Sequence, residues 1–207
     1  MPDAVRRADP ARSDDPARSD DPAHASGDRA LAAAAATGDR RALETLLDRH
    51  ADRVHAICRR IVVHPEDALD ATQEALIAIT RGIARFDGRS AFTTWLYRVA
   101  TNAALDELRR RSRRPIPLDV PYDMATQSGE GAVDARVDVD RALNEVPEEF
   151  RTAVVLRDLA DLDYSEIAAV LEVPVGTVKS RIARGRQALR DALGNQDASS
   201  ERRTGGP

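Results

Sequence analysis

The chain has 207 residues, enough for one ordinary domain or two small ones, and its 42% hydrophobic and 32% charged residues suit a soluble globular protein. No apolar run approaches the ~18–20 residues of a membrane span and no apolar leader opens the chain, so neither membrane insertion nor secretion is expected. The formal net charge is −4, and the single cysteine, Cys58, excludes an internal disulfide and fits a reducing cytoplasm.

Residues 1–28 repeat PARSDD in tandem and hold almost nothing apolar, so they are expected to form a disordered tail. Residues 29–112 read as helices. Leu43, Leu46, Leu47, Val54, Ile57 and Ile61 recur at helical spacing. Pro65 opens a second helix with Glu66 and Asp67 in its first turn, and Leu69, Thr72, Leu76, Ile79 and Ile83 form its expected buried stripe. The loop FDGRS (86–90) leads to a third helix beginning near Ala91 and ending in an arginine run. Residues 113–137 hold Pro115, Pro117, Pro121, Gly129 and Gly131 and read as a flexible linker. Residues 138–194 are helical again, and 195–207 read as a second disordered tail. No segment alternates as a strand does. The expected fold is all-α, with two small helical domains joined by the linker.

The C-terminal stretch DYSEIAAVLEVPVGTVKSRIARGRQAL has the pattern of a helix–turn–helix. Asp163 and Glu166 fit a capping box, and Pro174 sits where it can only start a helix. The second helix places Val175, Val178, Ile182, Leu189 and Leu193 on one face. Its other face carries Lys179, Arg181, Arg184, Arg186 and Arg190, with Thr177 and Ser180 near the start. No acidic residue falls between 175 and 190. A merely solvated face mixes both signs; this one fits the phosphates and base edges of duplex DNA.

Two features mark the N-terminal half. Asp67, Asp70 and Glu74, with Glu66 and Gln73 beside them, form an acidic stripe that suits either a basic protein partner or plain solvation. Four of the seven aromatics lie in residues 86–97, followed by a run of cations. Trp95, Arg98, Asn102 and Arg109 fall along one side of a helix, with Phe92 and Arg110 adjoining. Aromatics beside cations are what single-stranded DNA binding uses. Phe92 and Trp95 fit core packing equally well. Asn102 is a poor helix former that can read a base edge.

Taken in order, PEDALDATQEAL, FDGRSAFTTWLYRVATNAALDELRRR, a Pro-rich linker and VPEEFRTAVVLRDLADLDYSEIAAVLEVPVGTVKSRIARGRQAL closely resemble the extracytoplasmic-function (ECF) sigma factors of bacterial RNA polymerase. The resemblance covers roughly residues 30–194. It implies that Glu66, Asp67, Asp70, Gln73 and Glu74 dock on core polymerase. It implies that Phe92, Trp95, Arg98, Asn102, Arg109 and Arg110 act on the promoter −10 element. Thr177, Lys179, Ser180, Arg181, Arg184 and Arg186 would read the −35 element. The implied partners are core RNA polymerase, promoter DNA and an anti-sigma factor. Many members carry Gly where this chain has Glu172; a non-Gly residue there, if left-handed, costs on the order of 1 kcal/mol, so the turn is expected to differ slightly.

Two other readings compete. A stand-alone operator-binding dimer would share the C-terminal pattern but would need neither the aromatic–Asn–Arg helix nor the acidic stripe. An enzyme finds no support in the motifs. His50, His55 and Cys58 lack metal-site spacing, and neither a phosphate-binding loop nor a nucleophile elbow is present, so no cofactor is expected.

Overall fold

The computed structural model of the protein describes residues 22–113 and 132–204, with side chains described over 27–113 and 139–194. The elements are α1 (Pro22–Ala36), α2 (Arg40–Val62), α3 (Pro65–Gly82), a 3-10 turn (Ile83–Arg85), α4 (Phe92–Arg113), α5 (Ala132–Glu145), α6 (Glu148–Asp158), α7 (Tyr164–Leu171) and α8 (Val175–Thr204). No strand occurs among the described residues, so the fold class is the expected all-α one. Three expected boundaries move. Helix α1 starts inside the presumed 1–28 tail, α5 starts inside the presumed linker, and α8 continues through most of 195–207. The rest of those three segments lies outside the described residues.

Local chemistry sets the breaks between helices. Gly38, at φ 102°, turns the chain after α1, a conformation that suits a residue without a Cβ. Asp39 then caps α2 by accepting from the Arg41 and Ala42 amides at 3.0 and 3.1 Å. Val63 (φ 74°, ψ −47°) ends α2 in a γ-turn, with the His64 amide donating to the Val62 carbonyl at 2.9 Å. Pro65 opens α3, where its missing N–H leaves no bond unmade.

Helices α2, α3 and α4 form a three-helix core around Leu46, Ile57, Ile61, Ile79 and Leu96. Ala68, Ala71, Ala75, Ala100 and Ala104 are fully buried, so the α3 and α4 backbones approach closely. Cys58 is buried in this core, and burial pushes its thiol up to about 11. Helix α1 is tied to α2 by Asp28, whose buried carboxylate pairs with Arg49 and accepts from His50 Nε2 at 2.8 Å. Leu69, expected in the buried stripe of α3, is instead 53% exposed.

In the C-terminal half, α6 is buried on all sides from Arg151 to Leu156, packed against α8 and also against α2. Arg151 donates to the carbonyls of Leu143 and Val146 at 3.3 Å each, and burial lowers its pKa. Helix α8 lies on α6 through Val178, Ile182 and Gly185. A Cβ at Gly185 would meet Val154 Cγ2 at 2.6 Å and the Phe150 carbonyl oxygen at 2.8 Å. Val175, expected on the inner face, is exposed at the helix start.

The capping box at α7 is complete. Asp163 Oδ1 accepts from the Ser165 and Glu166 amides at 2.7 and 2.8 Å, and Glu166 Oε2 accepts from the Asp163 amide at 2.9 Å. Glu172 closes α7 at φ 54°, ψ 42°, so the turn is left-handed on a non-Gly residue where a slightly different turn was expected.

Gly185→Ala should lower the melting temperature, because the new methyl overpacks against backbone at a penalty of about 1–3 kcal/mol. Gly176→Ala should not, since nothing lies within 4 Å of its Cβ position. Thermal denaturation followed by circular dichroism checks both. Asp163→Ala should destabilise by ~1 kcal/mol at neutral pH. The Ser165 hydroxyl and then the Glu166 amide hold the Asp163 carboxyl below its usual pKa. The cap's contribution is therefore whole above the unfolded pKa of about 3.9 and is lost as pH falls through the lower folded value. Denaturant titrations should show the gap between variant and parent shrinking below about pH 4.

Candidate nucleic-acid and partner interfaces

Helix α3 turns Glu66, Asp70, Gln73 and Glu74 outward. Leu69 and Ile77 (43% exposed) join them, making a face that is acidic and apolar together. Asp67 leaves the expected stripe. It is only 7% exposed and forms an ion pair with Arg111, and His64 Nδ1 approaches it at 3.7 Å. The reason is position. Asp67 lies next to buried Ala68 on the edge of α3 that meets the end of α4, so its charge is used to fasten two helices.

The start of α4 separates the expected −10 residues into two groups. Phe92, only 4% exposed, is core. Its ring lies 5.6 Å from His50, 5.8 Å from Phe86 and 5.8 Å from Trp95, centroid to centroid. This is the core packing that the sequence allowed for it as readily as base stacking. Trp95 is half-buried, and its ring passes 3.1 Å from the Cβ position of Gly82, which leaves it room to lie down on α3. Arg98, Asn102 and Arg109 are exposed on one side of α4. Arg98 Nη2 sits 3.6 Å from Glu172, and Arg109 Nη1 is 2.7 Å from Asp106. Arg110 pairs with Glu107, whose side chain is buried, so it serves the fold before any ligand. Beside this face is a groove of about 330 Å³, lined by Asp28, Arg29 and residues 88–93. Sequence reasoning missed Asp28 by assigning it to the tail; the Ala/Leu-rich run that follows it was the available signal.

The cations of α8 also divide. Arg181 Nη2 lies 2.9 Å from Glu149, and Arg186 forms a bidentate pair with Asp158, which raises its pKa. Both acids belong to α6, so these two arginines brace the helix on its flanks. Lys179, Ser180, Arg184 and Arg190 remain on the exposed side, with Thr177 half-buried near the start. Lys179 Nζ lies 5.7 Å from the Tyr164 ring centroid, and the Arg184 guanidinium lies 5.8 Å from that of Phe150. Gly176, Ala183 and Gln187 complete the outward face and were not singled out from sequence. Their helical spacing from Ser180 was the available signal.

Two family models match the chain: Sigma-70 region 2 over residues 46–114, and Sigma-70, region 4 over residues 136–189. The RNA polymerase sigma-H factor of Pseudomonas aeruginosa is 38% identical over 170 residues, 75% of this chain and 88% of that one. The ECF RNA polymerase sigma factor SigM of Mycobacterium tuberculosis is 39% identical over 172 residues, covering 83% of this chain and 87% of the relative. The ECF RNA polymerase sigma-E factor of Escherichia coli K12 is 37% identical over 176 residues, covering 78% and 92%. Among solved structures, CnrH in complex with the cytosolic domain of CnrY superposes with a TM-score of 0.62 at 29% identity, covering 82% of this chain and 98% of that one. The three faces lie within or beside the two matched regions, and the chain belongs to the ECF sigma factors of RNA polymerase, the subunits that direct transcription initiation to promoters.

Proposed function

We propose that the three faces divide promoter-directed initiation among them. Glu66, Asp70, Gln73 and Glu74, flanked by Leu69 and Ile77, dock α3 on a basic helical surface of the polymerase's largest subunit. Acids supply orientation and encounter rate, while the two apolar side chains add buried area. Asp67 contributes from behind, by holding Arg111 and the end of α4.

Trp95, Arg98, Asn102 and Arg109 engage the −10 strand, helped by the loop at 86–91. The adjoining groove has room for one unstacked base. Phe92 and Arg110 act through support: Phe92 seats Trp95, and Arg110 neutralises Glu107. Helix α8 enters the −35 major groove with Lys179, Ser180 and Arg184 outward. Thr177 stands near its N-terminus, and Arg181 and Arg186 flank it. The observation that carries this reading is α8 itself, a helix–turn–helix second helix with no acid from Val175 to Arg190. The chain carries no catalytic chemistry of its own and works in the cytoplasm beside the polymerase. An anti-sigma factor is a further proposed partner, as the family resemblance implies.

Assembly with purified core polymerase tests the docking face. Asp70→Arg should weaken core affinity roughly tenfold with an unchanged melting temperature. Asp67→Asn should instead lower the melting temperature, because it leaves Arg111 unpaired. Unaltered core affinity in Asp70→Arg would remove the docking assignment. For the promoter, Arg184→Ala should weaken holoenzyme binding while leaving stability unchanged. A phosphate contact there acts uniformly across sequences and lowers the salt slope by about 1, whereas a base contact loses ~1–3 kcal/mol at one position only. Promoter affinity identical to the parent's at every salt concentration would remove α8 from the interface.

A further inference from the structure

The groove beside α4 has two unlike walls. One is the loop and first turn at residues 88–93, inside the matched region 2. The other is Asp28 and Arg29 of α1, which precede that match, since it begins at residue 46. Asp28 is the one acid among the lining residues, and it is only 4% exposed. Its Oδ1 accepts from Arg49, and its Oδ2 accepts from His50 Nε2 at 2.8 Å. Arg49 offsets the charge, as the burial of an acid requires. The His50 ring lies 5.6 Å from that of Phe92, which lines the groove as well.

An ionised carboxylate offers about four acceptor sites on its two oxygens, so the bonds to Arg49 and His50 leave capacity on the edge that meets the groove. Arg29 and Arg89 are exposed at the rim, where cations suit the phosphates of a strand. An acid among them repels phosphate, so backbone binding alone does not account for it. A base is a different ligand. Cytosine, adenine and guanine each carry an exocyclic amino group that can donate to a carboxylate, whereas thymine carries carbonyl oxygens and a methyl group. The ring N–H of thymine lies between two carbonyl oxygens, which a carboxylate repels. An acid that accepts and never donates therefore sorts bases by the presence of an amino group.

We propose that Asp28 is a specificity-determining residue of this groove: its carboxylate accepts from the exocyclic amino group of one unstacked base and so selects against thymine at that position. The proposal rests on the assignment of α4 and its adjoining groove to the −10 strand. Arg49 and His50 act behind Asp28 as positioning residues, because they hold the carboxylate in one place and tie α1 to α2. Helix α1 thereby supplies a selective group to a site whose other wall belongs to region 2.

The test uses the full-length chain assembled with core polymerase and a short, fully randomised single-stranded DNA library. Strands captured by the parent should be depleted of thymine at one position. Asp28→Asn should readmit thymine there, because an amide both donates and accepts. The amino group is then deleted from the preferred base of a captured strand, with 2-pyrimidinone for cytosine, purine for adenine or hypoxanthine for guanine. Affinity should fall about twentyfold in the parent, where the bond is to a charged group, and about fivefold in Asp28→Asn, where it is neutral. Arg49→Gln breaks the same buried ion pair but keeps the carboxylate, so it should lower the melting temperature and still exclude thymine. Both variants are compared below their melting transitions. Thymine accepted equally at every position, or an equal loss on amino deletion in parent and Asp28→Asn, would overturn the proposal. So would readmission of thymine by Arg49→Gln to the same extent, since Asp28 would then act only by fastening α1. Arg98→Ala and Asn102→Ala check the underlying assignment separately. If both capture the library as well as the parent does, the −10 reading of α4 fails; if capture depends on them but thymine is not excluded, Asp28 alone is struck.

Discussion

The seat of α8 on α6 governs the C-terminal half. Gly185 presents no side chain, so the α8 backbone comes up against the Phe150 carbonyl and Val154. Arg181 and Arg186 then clamp the two flanks to Glu149 and Asp158. Helix α6 can accept this because it is buried nearly all round and fixed in turn against α2. A rotation of α8 on this seat by one residue, about 100°, would bury Lys179 and expose Val178. Close packing and flanking ion pairs together fix which side chains face outward.

Acidic residues in this chain do more than set its net charge. Several are reserved for its own cations: Asp67 for Arg111, Asp28 for Arg49, Glu149 for Arg181 and Asp158 for Arg186. These pairs hold helices together and leave a smaller set of groups outward. On α3 the remainder is acidic, and on the outward face of α8 it is basic. An overall charge of −4 is compatible with a DNA-binding helix because the charges are sorted by face.

Helix existence, helix type and the helix–turn–helix were legible in the sequence, because periodicity, Pro65, Pro174 and the Asp163–Glu166 box are local signals. Glu172 was legible as a departure from a common glycine, but whether its turn would stay left-handed was not. What escaped depends on partners far along the chain. Asp67 looked like a surface acid until Arg111, 44 positions away, came to meet it. Leu69 looked like core until the buried alanines of α3 took the inner face. Phe92 fitted base stacking and core packing equally well, and Phe86 and His50, which enclose it, decide for the core. Asp28 was hidden by a polar repeat just upstream that gives no sign of a buried ion pair within α1.

The most direct measurement is run-off transcription by purified core RNA polymerase supplied with this protein, on genomic fragments recovered by the reconstituted complex. The account predicts transcripts with defined 5′ ends only when the protein is present, their starts following a shared pair of upstream elements. Binding of the same fragments with no transcript, or with repression of transcription from them, would contradict it.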